Sequence, residues 1–233
     1  MMCRRFINQP SGSWHVKYRY LTFDCYGTLV DWKTGIEEGL RAAIGSLNLS
    51  GNELLSAYVS AEKAEESTYK KYREVLRTTA LSMSGTLGVK ISDAAARGFA
   101  ASVPNWPAFG DTAEFLREMG KRGYKRYILS NVDNDLLEGT IRRSRLEVDG
   151  FVTAEEVGSY KPNEGHWIEF MRRTGASKDQ VLHVAQSVFH DIIPTQHLGM
   201  DSAWVNRYSE RLPLEASPLL ISDSLESLGV MLE

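Results

Sequence analysis

The sequence predicts an α/β protein: a doubly wound parallel sheet covered by helices, with an α-helical segment inserted after the first strand. Three observations carry this. Short apolar runs bounded by turn residues recur along the chain. Helical patterns separate most of them, as crossover connections between parallel strands require. The alternation is interrupted once, early, by a long stretch of helical composition.

The first strand is YRYLTFD (18–24), which ends on Asp24 and breaks at Gly27-Thr28. After Asp31 come TGIEEGLRAAIGSL, then the long run from NELLSAYVSAEKAEE to SMSGTL, then SDAAARGFAASV, all helical in composition. PNWPAF (104–109), with two prolines, marks the return to the sheet. Strands then follow at 124–131, 149–154, 181–186 and 201–206, with a weaker sixth at 218–222. Helices are predicted over 111–123, 134–146, 164–175 and 191–200. The last accommodates Pro194 because it falls in the first turn. The expected organisation is a leader over 1–17, a core over 18–33 and 105–233, and a helical cap over 34–104.

With 233 residues, 42% of them hydrophobic, the chain can build one sizeable core or a core with a smaller insert. A net charge of −3 argues against a nucleic-acid surface. No apolar run reaches bilayer-spanning length, so no membrane partner is expected. Cys3 and Cys25 cannot make a disulfide framework, and a cytoplasmic setting is expected. Arg4 and Arg5 precede no apolar core of a signal peptide. Pro10 to Ser13 suggest a mobile leader.

In an open parallel sheet, ligands bind beyond the carboxyl ends of the strands. There the sequence places Asp24, then Ser130-Asn131, then Lys161 in GSYKPN, then Gln186, Ser187, His190 and Asp191 in AQSVFHD. Together they offer an acid, hydroxyl and amide donors, a cation and a further acid, which can hold an anionic substrate against a nucleophilic carboxylate. Singly, each has a plainer reading. An aspartate after a strand is as often a turn or cap residue. Ser130-Asn131 alone reads as a helix cap, and Lys161 before a proline as a solvated loop lysine. His183 in an apolar strand reads as a hydrogen-bonded core histidine, and His166 and Trp167 as surface and packing residues. His190 and Asp191 compete for one role. What raises the set above these readings is its order, one group after each strand.

FDCYGTLVD, ILSN, YKPN and HVAQSVFHD resemble, in sequence order, the four motifs of the haloacid-dehalogenase superfamily. The resemblance runs from about residue 18 to 208. It implies a modified, Rossmann-like core with a cap after the first strand, and Asp24 as nucleophile. It also implies that Ser130 and Asn131 hold the substrate's anionic group and that Lys161 pairs with Asp24.

Most phosphatases of that superfamily carry a second aspartate two residues after the nucleophile, as general acid, and Gly-Asp-x-x-x-x-Asp after strand four, for Mg²⁺. This chain has Tyr26, and Ala185-Gln186 leading to Asp191. A carboxylate approaching a unit negative charge at ~4 Å meets about 4 kcal/mol of repulsion at an effective dielectric of ~20. A phosphate dianion roughly doubles that, and Mg²⁺ normally cancels it. A small carboxylic acid brings one charge, and a halide leaving group needs no proton. These substitutions favour displacement at carbon without a metal.

The motif-one tyrosine resembles the type II 2-haloacid dehalogenases, which implies an (S)-2-haloacid dehalogenase: Asp24 attacks C2, Lys161 keeps it ionised, and Asp191 or His190 positions the water that cleaves the ester. Tyr26, Ser130, Asn131 and Ser187 are the expected substrate-binding residues, with no cofactor or metal ligand. The aromatic Trp32, Tyr58 and Trp106 either line the site or pack. The cap region SAYVSAEKAEE has no halide-receiving arginine, and Ser187 and Asp191 sit out of step with the dehalogenase strand-four pattern. HVAQSVFHD, NWPAF and VGSYKPN also resemble azetidine-2-carboxylate hydrolases, in which His190 would serve a nitrogen leaving group. A Mg²⁺-dependent phosphatase of small molecules and a non-enzymatic metabolite-binding protein are the remaining readings. The expected partner is a small carboxylic acid. Because related dehalogenases are often dimers, a homodimer is the expected assembly.

Overall fold

A computed structural model describes residues 17–45, 49–65 and 68–233. The leader expected over 1–17 and Cys3 thus fall almost wholly outside the described residues. The one exception is Lys17; Tyr18, the first residue expected in the core, packs there.

Six parallel strands form one sheet in the order β3-β2-β1-β4-β5-β6. They are β1 (Tyr20–Phe23), β2 (Lys125–Ser130), β3 (Gly150–Thr153), β4 (Val181–Ala185), β5 (Asp201–Val205) and β6 (Leu220–Ser222). All six predicted strands exist, each trimmed by a residue or more. Strand order reverses at β1, with β2 on one side and β4 on the other. That reversal opens the crevice in which doubly wound sheets bind ligands.

Side-chain alternation sends each strand's residues to two covered faces. Leu21, Phe23, Ile128, Leu182 and Val184 join the large cluster that also contains the helices after β1. Tyr20, Leu129, Val152 and Val181 face the other way, onto Trp167 and Phe170. On this second face two polar residues, Thr22 and His183, are also fully buried.

Four helices follow β1: α1 (Trp32–Ile44), α2 (Gly51–Glu65), α3 (Tyr72–Leu87) and α4 (Asp93–Ala100). Asp31 caps α1, accepting from the Thr34 amide. α3 begins differently. Lys71 provides no side-chain cap, and Asp133, from the loop after β2, accepts from the backbone N–H of Tyr72 (2.8 Å) and Arg73 (2.9 Å). A carboxylate at a helix N-terminus satisfies open amides and complements the dipole. Here it also ties the helical insert to the core.

The remaining helices are α5 (Thr112–Lys121), α6 (Asn134–Ser144), α7 (Ala154–Val157), α8 (Gly165–Thr174), α9 (Ile193–His197) and α10 (Leu225–Met231). The helix predicted over 191–200 is divided: Val188–Ile192 forms a π turn that α9 continues. α7 and α10 were not expected. α7 is set by a capping box between Thr153 and Glu156. His166 corrects the sequence reading. It is fully buried, not a surface residue, and its Nε2 lies 3.1 Å from the Ser130 carbonyl.

Gly35 on α1 lies under the indole of Trp106, where an added Cβ would come within 2.2 Å of the ring. We expect Gly35→Ala to lower stability by about 1–3 kcal/mol through overpacking, outweighing the ~1 kcal/mol of helix propensity it gains. Chemical denaturation of the two proteins measures the sign.

Candidate active site

Asp24 directly follows β1, and its amide extends the ladder to the Val184 carbonyl (3.1 Å). The chain then turns sharply. Gly27 has φ +109°, which a side chain would strain, and a Cβ there would crowd Trp32 and Gln186. The turn brings Thr28 back, so that its hydroxyl donates to Asp24 Oδ2 (2.9 Å) and accepts from the Gln186 amide (2.9 Å).

Lys161 is the centre of the site and is 2% exposed, not a solvated loop residue. Its Nζ donates to Asp24 Oδ1 (2.9 Å), Asp191 Oδ1 (2.7 Å) and the Leu129 carbonyl (2.9 Å), so all three protons are used. Asn131 holds its backbone from both sides: the Lys161 amide donates to Oδ1 (2.7 Å), and Nδ2 donates to the Lys161 carbonyl (3.1 Å). Asp191 Oδ1 also lies 2.9 Å from His183 Nε2, whose Nδ1 is 2.9 Å from the Thr22 hydroxyl. Since an ionised carboxylate has no proton to give, His183 Nε2 is the donor. His183 is thus the hydrogen-bonded core residue expected, and it anchors the site from below.

Two carboxyls share one ammonium, and their environments drive them apart. Burial pushes the Asp24 carboxyl up from its ordinary range, against the pull of Lys161 and with the push of Asp191. Burial also opposes charge on Asp191, but Lys161 and the His183 hydrogen bond prevail and hold it low. Lys161 itself is raised: burial opposes its charge, and the two carboxylates more than offset that. Asp191 Oδ2 is buried and has no hydrogen-bond partner among the described residues.

A cavity of about 270 Å³ opens above Asp24. It collects every residue expected from sequence to act in catalysis or substrate binding: Asp24, Tyr26, Ser130, Asn131, Lys161, Ser187, His190 and Asp191. Ser130 is fully buried, and its hydroxyl has no partner among the described residues. Neither Ser130 nor Asn131 caps the next helix; Asn131 is largely committed to the Lys161 backbone. Ser187 Oγ accepts from the His190 amide and lies 3.1 Å from His190 Nδ1. Burial lowers the His190 pKa, which favours a neutral ring. Trp32 and Trp106 line the cavity with Tyr26, whose ring meets Trp106 edge-on at 5.6 Å. Tyr58 packs behind the wall.

Sequence reasoning missed Glu62 and Tyr72, which reach the cavity from the insert. The usable signal was spacing: Tyr58 and Glu62 are four residues apart and so share a helix face. It also missed the Thr28 contact to Asp24.

The donor set does not fit Mg²⁺. Where the phosphatase pattern needs acids, Tyr26 donates to the Thr140 hydroxyl, itself bonded to the Leu136 carbonyl, and the Gln186 amide bonds Glu210. Among the described residues, no group of three or more His, Cys, Asp or Glu could hold a metal ion.

Residues 18–194 match the family described as haloacid dehalogenase-like hydrolase. The chain belongs to the haloacid dehalogenase-like hydrolases. It is 24% identical over 225 residues to an (S)-2-haloacid dehalogenase of Pseudomonas putida, covering 90% of this chain and 94% of that one. Its fold is also that of the L-2-haloacid dehalogenase of Xanthobacter autotrophicus, solved with chloropropionic acid covalently bound (TM-score 0.81, 20% identity, 92% and 98% coverage). The magnesium-bound HAD-hydrolase YfnB of Bacillus subtilis is similar too (TM-score 0.79, 20% identity, 93% and 99% coverage). A structure with a covalently bound haloacid and one with bound magnesium thus share this fold, so the side chains must decide between the two chemistries. Among the described residues, no helix is long and apolar enough to cross a membrane.

Lys161→Met would leave two buried carboxyls facing each other without a cation. We expect about 3–5 kcal/mol loss of stability near neutral pH. Without the ammonium, both folded-state pKa values lie above their unfolded values, so the penalty is full when the carboxyls are ionised and shrinks as pH falls through those values. Urea unfolding at pH 7.5 and pH 5 should show the gap to the parent protein narrowing at the lower pH.

Proposed function

We propose that the protein hydrolyses a small 2-substituted carboxylic acid at C2, without a metal, through an ester on Asp24. The observation that carries this is the state of Asp24: a carboxylate at the cavity floor with one oxygen held by an ammonium and the other by a hydroxyl. Such a group is oriented for attack, and the same donors stabilise the oxyanion when the ester is later cleaved.

The substrate carboxylate would sit against the unsatisfied Ser130 hydroxyl and the remaining N–H of the Asn131 amide. C2 would then face Asp24, with Tyr26, Trp32 and Trp106 around its substituents. An Asp24 oxygen forms a bond to C2 from the side opposite the leaving group, which departs with the bonding pair. Water then attacks the Asp24 carbonyl carbon and releases a 2-hydroxy acid. Asp191 Oδ2, which has no partner among the described residues, would orient this water; with its pKa held low, Asp191 is a weak base, and neutral His190 is the stronger candidate for taking the proton.

Halide is the leaving group of the first reading, (S)-2-haloacid dehalogenation, because it needs no acid and Tyr26 stands where the acid would be. A strained ring amine, as in azetidine-2-carboxylate, is the second reading, favoured by the carboxyl of Glu62 in the same cavity.

Halide release from L-2-chloropropionate should persist in EDTA and fall by roughly 10⁴-fold or more in Asp24→Asn, the scale of deleting a covalent nucleophile. Turnover in ¹⁸O water should label the Asp24 side chain, as mass spectrometry of the peptide would show; an unlabelled side chain after many turnovers overturns the reading. Since Asp24 must be ionised to attack and burial raises its pKa, kcat/KM should fall on acidification at a pH above the ordinary 3.8 of an aspartate.

A further inference from the structure

The helical insert turns an acid toward the cavity. Glu62 on α2 lines the same space as Asp24. Its Oε1 accepts hydroxyls from Tyr58 (2.6 Å) on α2 and Tyr72 (2.8 Å) on α3. Two donors on one oxygen prepare a carboxyl for negative charge. Burial works against that charge and holds the Glu62 carboxyl up from its ordinary range. No Lys, Arg or His among the described residues forms an ion pair with it. The carboxyl therefore has its hydrogen-bond scaffold but lacks a cation, and a buried carboxylate without one is costly.

The charges around the cavity point the same way. Among the described residues that line the cavity are three acids, Asp24, Asp191 and Glu62, and one ammonium, Lys161, which Asp24 and Asp191 already share. A 2-halo acid brings a further negative charge. A 2-amino acid with protonated nitrogen brings a carboxylate and an ammonium together and adds no net charge. An ammonium arriving at Glu62 would draw the carboxyl into its charged form, so the ion pair forms only with a substrate that carries the cation.

We propose that Glu62 determines the specificity of this site: its carboxylate receives the protonated amine of a small 2-carboxylate in which nitrogen is the leaving atom. This rests on Asp24 acting as nucleophile at C2. The Asp24 oxygen bonds to C2 as the C2–N bond breaks, and the bonding pair goes to nitrogen. The nitrogen, protonated beforehand, departs as a neutral amine hydrogen-bonded to Glu62. Water then cleaves the ester, restoring Asp24 and giving the 2-hydroxy acid; the proton released in that step converts the amine to its ammonium form. A four-membered ring suits this step because opening it relieves strain that an open-chain amine does not have.

The test compares L-azetidine-2-carboxylate with L-2-chloropropionate as probes, on the full chain and on Glu62→Gln, in ¹⁸O water. The expected result is turnover of the amine with label on Asp24, and at least a tenfold fall in the ratio of kcat/KM for amine over halide in the variant, carried mainly by KM. Tyr72→Phe, which removes one of the two hydroxyls, should move the ratio the same way by less. No turnover of the amine, or a ratio unchanged within threefold in a Glu62→Gln protein that melts cooperatively, overturns the assignment. If Asp24 is labelled with the halide probe alone, nucleophilic attack by Asp24 stands and only the role of Glu62 falls. If neither probe labels Asp24, both fall.

Discussion

One ammonium between two carboxylates organises this molecule. Lys161 spends its three protons on Asp24, Asp191 and a backbone carbonyl, and all three partners arrive from different strand ends. A buried charge of this kind is tolerated only when fully paired. The loops after β1, β2, β3 and β4 therefore have to close on the same point. The site is rigid for the same reason that it is polar: loosening any one loop strands a charge in the interior.

Support for that point reaches down into the sheet. Thr22 and His183 replace apolar residues on the α8 face of β1 and β4 and form a column beneath Asp191, with the His183 ring meeting Trp167 edge-on. Asn131 pins the Lys161 backbone from the other side. Thr22 and His183 touch no substrate in the proposed reaction, and Asn131 does so only through its remaining N–H. They fix the direction of the ammonium, and hence which oxygen of Asp24 remains for chemistry.

The core of this arrangement was legible in the sequence because parallel strands announce themselves as short apolar runs and their polar ends stand out. Asp24, Lys161 and Asp191 are visible as charges where the local pattern calls for a turn; the pairing of Lys161 with Asp24 came from the family resemblance, and its second ion pair, with Asp191, was not expected. His166 was misread because a histidine in a first turn reads as polar surface, although its four-residue spacing from Phe170 sets it on the buried face; only the tertiary fold reveals the carbonyl it meets. Glu62 stayed hidden among the many charges of α2, since burial of one acid in a solvated-looking helix depends on what α3 lays over it. The split of the helix at Val188–Ile192 depends on Ser187 capping a wider turn, which periodicity does not register.

Asp133 stands two residues beyond Asn131, yet its carboxylate starts a helix of the insert. Residues 72 and 133 therefore form a joint made across the boundary that sequence alone would draw between two modules. Because Asp133 grips backbone N–H groups, any helix that begins at the same place would serve it, but one that begins elsewhere would leave a buried acid without its donors. The place where the insert's third helix begins is thus fixed together with the loop beneath it.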